Sequence, residues 1–325
     1  MKKKVLITGA SGFVGYHLVL SALEKGLEVH AAIRSNSNVK HLEGLNITFV
    51  HLDYHSEYAL QKRIEENSWH YIIHAAGVTR AAGQEAYNEV NAHFTYNLAS
   101  AAAKAGIEKM VFISSLAAIG PQAAHDEALI TESKAPHPVT SYGRSKLLAE
   151  RRLQEIKDLP LTILRPTAVY GPRERDLFVM FRTISKGLEP YIGKAPQTFS
   201  FIYVKDLAEV SVNTLLMNAQ GTYNLSDGAT YDRYQLAQIT KKILNRRTLK
   251  MHIPVPLVRL IAGTLEKTSG NGVPVLNREK LAELTAPGWQ ISIDKAKKEL
   301  GFQPEYDLEQ GLRHTLEWYR EQKWL

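Results

Sequence analysis

The feature that most constrains this chain is an eight-residue run near its start, Thr8-Gly9-Ala10-Ser11-Gly12-Phe13-Val14-Gly15. A short apolar stretch, residues 5–8, leads into it. Residues 13–25 follow with helical spacing and stop at Gly26. Three glycines could serve a tight turn alone. Between a strand and a helix they do more, because glycine lets the backbone approach a pyrophosphate while the helix start offers unpaired N–H groups to the anion. The spacing is G-x-x-G-x-x-G rather than the more general G-x-G-x-x-G. Gly9, Ser11, Gly12, Phe13, Val14 and Gly15 are therefore candidate dinucleotide-binding residues.

The rest of the first half repeats the strand–helix rhythm. Strands are expected at residues 28–33, 47–52, 71–75, 110–114 and 161–164, and helices at 57–66, 85–105 and 142–157. This alternation predicts an α/β fold, a doubly wound parallel sheet covered on both faces, with ligands at the carboxyl ends of its strands. After Gly171 the rhythm breaks at Pro172, Pro190, Pro196 and the run Ile253-Pro254-Val255-Pro256. Helical spacing returns at 205–217, 231–244, 294–300 and 308–323. The expected organisation is a dinucleotide-binding domain over residues 1–170 and a smaller, mostly helical substrate-binding region over 171–325, partly interleaved with the sheet.

Composition narrows the function. The apolar share is 44% and the charged share 22%, ordinary for a soluble globular protein. No apolar run is long enough to span a membrane. Only three apolar residues separate Lys4 from Thr8, too few for a signal-peptide core. The absence of cysteine rules out disulfides, thiolate metal sites and a cysteine nucleophile. A cytoplasmic protein is expected, with no metal, no membrane partner and no nucleic-acid partner. The net charge of +7 is scattered, and an anionic cofactor or substrate is its most economical use.

A second constellation carries chemistry. In Tyr142-Gly143-Arg144-Ser145-Lys146 the tyrosine and lysine stand one helical turn apart on the same face. An ammonium there is expected to lower the tyrosine pKa, so that Tyr142 exchanges a proton with a carbonyl or alcohol oxygen. Ser115 closes the strand before it, in Ile113-Ser114-Ser115-Leu116, and would orient the same oxygen; Ser114 is the runner-up. The same tyrosine–lysine spacing recurs at Tyr58–Lys62 and Tyr319–Lys323. Those pairs lack the preceding serine strand and read as ordinary helix surface.

Together with His74-Ala75-Ala76-Gly77, Asn91 and Leu164-Arg165-Pro166-Thr167, these motifs resemble the extended short-chain dehydrogenase/reductase family, which includes sugar-nucleotide epimerases and dehydratases. The similarity runs along most of the chain. It implies a Rossmann-type fold and a nicotinamide cofactor. Asp53, Ala75, Ala76 and Gly77 would line its adenine side, Lys146 would bond its nicotinamide ribose, and Leu52, Asn91 and Tyr142 would also contact it. Pro166 and Thr167 would lie along its amide. Thr79, Ser115 and Tyr170 are candidate substrate contacts, and Asp206 a helix cap. A homodimer through the helix bearing Tyr142 is expected by analogy. On the second strand, Ile33 stands where NAD enzymes carry an acid, and Arg34 follows, with Lys40 nearby. An arginine there suits a 2′-phosphate, so NADP(H) is favoured and NAD(H) remains possible.

Substrate signals are thinner. Phe199 occupies the position where sugar-nucleotide enzymes place a diphosphate-binding arginine, and the later Arg-Pro-Gly-Asp stretch is absent around Arg278. Leu116-Ala117-Ala118 offers no acid for dehydration. The expected activity is oxidoreduction of a carbonyl or secondary alcohol. A sugar-nucleotide epimerase without net redox is the alternative, and a non-catalytic dinucleotide-binding protein the third reading.

Overall fold

The structure, a computed structural model, describes residues 2–123, 126–268, 274 and 276–325. Seven strands form its central sheet: β1 (Lys4–Thr8), β2 (Glu28–Ala32), β3 (Ile47–Val50), β4 (Tyr71–His74), β5 (Lys109–Ile113), β6 (Leu161–Pro166) and β7 (Gly221–Leu225). Their order is β7-β6-β5-β4-β1-β2-β3, and every pairing is parallel. Such a sheet is buried on both faces, so its strands read as continuous apolar runs whose alternate residues feed two cores. Val5, Ile7, Ile73 and Val111 pack on one side with helices α1 (Phe13–Glu24) and α7 (Val204–Leu215). Leu6, Ile72, Met110 and Phe112 pack on the other, under α2 (Glu57–Asn67), α4 (Phe94–Lys104) and α5 (Ser141–Gln154). Strand order reverses between β1 and β4. In a Rossmann-type sheet that switch point opens a ligand crevice.

The structure departs from these expectations in places, and the helix expected over 231–244 starts only at Gln235, after a short strand at Tyr231–Asp232. The helix foreseen over 85–105 is three pieces: α3 (Gly83–Asn88), a π turn at Glu89–His93, and α4. β7 was not foreseen. Its run Gly221-Thr222-Tyr223-Asn224-Leu225 alternates polar and apolar residues, and buried Asn224 has its N–H on Glu132 and its side-chain amide on the Ile130 carbonyl.

The remainder builds a third, aromatic-rich core containing Tyr170, Phe181, Tyr191, Phe201, Tyr203 and Tyr319. Around it lie α6 (Phe178–Ser185), α8 (Gln235–Leu244) and α12 (Leu308–Glu321), with short strand pairs such as Leu188–Ile192 on Leu249–Ile253, while α9 (Val255–Thr268) packs on α10 (Arg278–Thr285) and α11 (Asp294–Leu300) joins the first sheet core beside β7. The proline run read as irregular is the start of α9. Pro256 sits in its first turn, where a missing N–H costs no intrahelical bond. No helix among the described residues is long and apolar enough to cross a membrane.

Candidate active site

The glycine loop joins β1 to α1 at the switch point. Gly9 has φ +68°, and a Cβ there would lie 2.8 Å from the Ala75 carbonyl oxygen and the Ala76 nitrogen. A Cβ on Gly15 would lie 2.0 Å from the Gly9 carbonyl oxygen. The loop thus folds back on itself and on residues 75–76 with no room for side chains. Gly12 is the N-cap of α1 and supplies no side-chain acceptor. A helix N-terminus left open beside a tight glycine cradle fits a pyrophosphate. Arg173 adds a cation beside this helix, 4.8 Å over the Tyr16 ring.

A hydrogen-bonded chain runs from this loop to the helix of Tyr142. The Thr95 hydroxyl donates to the Asn91 carbonyl, so it can only accept from His74 Nε2. His74 Nδ1 is then free to accept from the Thr8 hydroxyl at 2.7 Å, while Thr8 Oγ1 accepts from the Ala76 N–H. Burial, with a smaller contribution from the Lys146 charge, pulls His74 down to about 3, which keeps the imidazole neutral in this tautomer. Asn91 sits in the π turn. Its amide accepts from the Val78 N–H and donates to the Val78 carbonyl and the Ser145 hydroxyl, which in turn donates to the Tyr142 carbonyl. Asn91, expected along the cofactor, thus holds the Gly77–Val78 turn against α5.

Ser115, Tyr142 and Lys146 come together at the carboxyl end of β5. Thr140 caps α5 through the Gly143 N–H. Gly143 lets α5 approach the turn after Ser115: a Cβ there would lie 2.3 Å from the Ala117 carbonyl oxygen. Half-buried Tyr142 comes beside Ser115, whose hydroxyl accepts from the Ala117 N–H. Lys146 Nζ donates to the Ile113 carbonyl at 2.9 Å and lies 4.7 Å over the Phe112 ring. Burial brings Lys146 down to about 8 against the opposing pull of Glu150. Tyr142 departs from expectation: burial pushes it up to about 12, with only the Ser115 hydroxyl opposing. The lysine is held on the Ile113 carbonyl, and desolvation of the phenol prevails.

The structure separates the two serines. Ser114 is buried, and its hydroxyl donates to Glu150, which also pairs with buried Arg165. Ser115 keeps partial exposure beside Tyr142.

The remaining candidates divide. Ala75 and Ala76 lie against the glycine loop, and Gly77 faces both Asn91 and Lys146. Leu52 is half-buried and Asp53 exposed, just past β3, where the Asp53 carboxylate accepts from the His55 N–H. Arg34 is exposed past β2, its N–H on the Ser37 hydroxyl, and Lys40 is exposed on the same loop. Pro166 ends β6, and the Thr167 N–H and hydroxyl both donate to the Leu225 carbonyl. Thr79 is exposed and its carbonyl accepts from Tyr87. Tyr170 is no substrate contact. It is fully buried in the aromatic core, with its hydroxyl on the Asp307 carbonyl and Gly311 packed against its ring. Asp206 is no helix cap either. It lies inside the first turn of α7 and accepts from the Glu305 and Tyr306 N–H groups, and burial raises it to about 6.

Sequence reading missed Glu279. From α10 its carboxylate accepts the Ser141 N–H at 2.7 Å, the Ser141 hydroxyl at 2.8 Å and the Arg144 guanidinium, while Arg144 also donates to Gln84. A late segment is thereby latched onto the start of the helix bearing Tyr142. A lone glutamate some 140 residues downstream carries no local signal of that role.

The fold and this crevice define a dinucleotide-dependent α/β enzyme class. Residues 5–226 match the NAD dependent epimerase/dehydratase family, and the chain belongs to it. Across 98% of both lengths the chain is 27% identical to sterol-4-alpha-carboxylate 3-dehydrogenase, decarboxylating, of Candida albicans. It is also 27% identical to the N-acetyl-alpha-D-glucosaminyl-diphospho-ditrans,octacis-undecaprenol 4-epimerase of Escherichia coli O157:H7, over 98% of this chain and 96% of that one. The same identity holds to a ceramide reductase of Caulobacter vibrioides, over 99% and 96%. Among solved structures, UDP-glucose 4-epimerase of Thermus thermophilus in complex with NAD shares the fold, with a TM-score of 0.79 at 22% identity over 98% and 99% of the two chains.

Proposed function

We propose that this chain is an oxidoreductase that moves a hydride between a nicotinamide dinucleotide, NADP(H) by preference, and a carbonyl or secondary alcohol borne on a lipid. The observation that carries the reaction type is the placing of half-buried Ser115 beside Tyr142, one helical turn from Lys146, while the neighbouring Ser114 is committed to Glu150. The glycine cradle and the open end of α1 would hold the pyrophosphate, and Lys146 the nicotinamide ribose. When bound, the dinucleotide supplies or accepts the hydride.

In the reducing direction Tyr142, raised to about 12, arrives protonated and donates its proton to the carbonyl oxygen as carbon gains the hydride. Ser115 donates a second hydrogen bond to that oxygen, and the Lys146 ammonium stabilises the tyrosinate left behind. Reversing these transfers oxidises the alcohol. Two relatives whose names state a redox reaction or reductase act on a sterol carboxylate and a ceramide. Phe199, in place of a diphosphate-binding arginine, supports the same substrate class.

Tyr142→Phe is the test. Turnover should fall about a thousandfold, within the usual range for losing a general acid, while the dissociation constant for NADPH stays within about twofold. Retained turnover would remove Tyr142 from the proton path. The epimerase relative favours a second reading, 4-epimerisation of a sugar nucleotide or lipid-linked sugar without net redox. Cofactor that stays bound and is regenerated each cycle, with a stereoisomer as the product, would establish it instead.

A further inference from the structure

We propose that the exposed face of α9 seats the protein on the surface of an anionic phospholipid bilayer. α9 buries Val258 and Ala262 against the body of the protein. Leu257, Leu260 and Ile261 point away and are 48%, 68% and 44% exposed. At helical spacing these three fall within an arc of about 100°, so they form one apolar ridge rather than scattered surface residues. Large aliphatic side chains gathered on one exposed helix face mark an interaction site.

The ridge is flanked by positive charge. Arg259 and Lys267 of α9 and Arg278 of α10 line a cleft beside Leu260. The acids of these two helices are already engaged: Glu266 pairs with Arg278, Glu283 with Lys280, and Glu279 with Ser141 and Arg144. Arg259 and Lys267 are exposed and make no ion pair among the described residues. An apolar ridge beside uncompensated cations complements a bilayer whose headgroups carry negative charge, in the manner of an interfacial amphipathic helix. A soluble protein partner would have to bring an apolar patch ringed by acids to answer both features, whereas an anionic bilayer supplies both along its whole surface.

The face also lies close to the chemistry. α9 is joined to α10 by Glu266–Arg278, and the next residue, Glu279, grips the start of α5 one position before Tyr142. α10 thus bridges α9 and the helix that carries Tyr142. The purpose assigned to this surface rests on the lipid-substrate reading, whereas the surface itself is read from α9.

The test is co-sedimentation of the full-length protein with vesicles, without substrate. Vesicles of phosphatidylcholine containing about one third phosphatidylglycerol should bind it, and pure phosphatidylcholine should bind at least about tenfold more weakly. Leu260→Ser with Ile261→Ser should abolish binding, and Arg259→Gln with Lys267→Gln should weaken it about thirtyfold. Unchanged NADPH binding and melting temperature would show that both variants still fold. No binding to anionic vesicles, or full binding by the Leu260/Ile261 variant, overturns the proposal. So does light scattering that shows a dimer lost in that variant, since the ridge would then belong to a second copy of the chain. Failure of the reductase reading would appear in Tyr142→Phe turnover and leave the vesicle result standing.

Discussion

At the carboxyl ends of β1 and β4 the walls of the crevice are backbone. Gly9 and Gly15 leave no space for a side chain, α1 opens without a side-chain cap, and the supporting Thr8–His74–Thr95 chain is buried. Beyond Tyr142 the construction reverses. There α5 is held by polar side chains from distant segments, Gln84 and Glu279, which take hydrogen bonds from its Ser141 and Arg144, and the nearby α9 exposes aliphatic residues. A site that binds a fixed ligand gains from walls that cannot vary, because any added atom collides with main chain. A site that must accept a substrate specific to its own enzyme gains from side chains, which substitution can alter without disturbing the sheet.

This contrast can be broken by experiment. The largest effect is expected at Gly15→Ala. Its new methyl would meet the Gly9 carbonyl oxygen at 2.0 Å, and backbone must move. A loss of about 3 kcal/mol in denaturant unfolding is expected, as for other overpacked sites, together with loss of NADPH binding. Normal binding in that variant would show the loop to be more yielding than its geometry implies. Arg34→Ala comes next: NADPH should bind about tenfold to a hundredfold more weakly, the usual worth of charge-assisted bonds, while NADH shifts less than twofold. Equal losses by titration would take Arg34 off the 2′-phosphate. The smallest effect is on pH dependence. Lys146 acts as a cation, and burial lowers it to about 8, so kcat/KM for carbonyl reduction should be level below pH 7 and decline as pH rises through 8. A profile level to pH 10 would mean that the ammonium is not required or is far more stable than its burial suggests.

The same contrast explains what the sequence disclosed. The glycine spacing, the tyrosine–lysine turn and six of the seven central strands leave local signals, since each depends on residues adjacent in the chain or repeating at a fixed period. Ser115 was separable from Ser114 only weakly, and burial of Ser114 on Glu150 marks the difference. Tyr170 misled because its motif lies beside the site while its ring points into the aromatic core. Asp206 misled because its position suits a cap, yet its carboxylate serves two N–H groups about a hundred residues away. Glu279 and the α9 ridge had no signal of their own. The first acts across 138 residues, and the second was masked by Pro254 and Pro256. A search by length of apolar run passes over three aliphatic residues on one turn and a half of helix.

The placing of β7 has a consequence for how the chain is made. β6 ends at Pro166, yet its outer neighbour is residues 221–225, with Thr167 also donating to Leu225. As the polypeptide leaves the ribosome, the parallel sheet therefore cannot finish when its first six strands and their helices are out. At about 5–20 residues per second, several seconds pass before β7 emerges. During that interval β6 offers an unpaired edge, and α7, which covers one face of the sheet, is still arriving. The second half of the chain is thus a condition for completing the sheet begun by the first, and a nascent chain stopped between them would expose a strand edge able to pair with another copy.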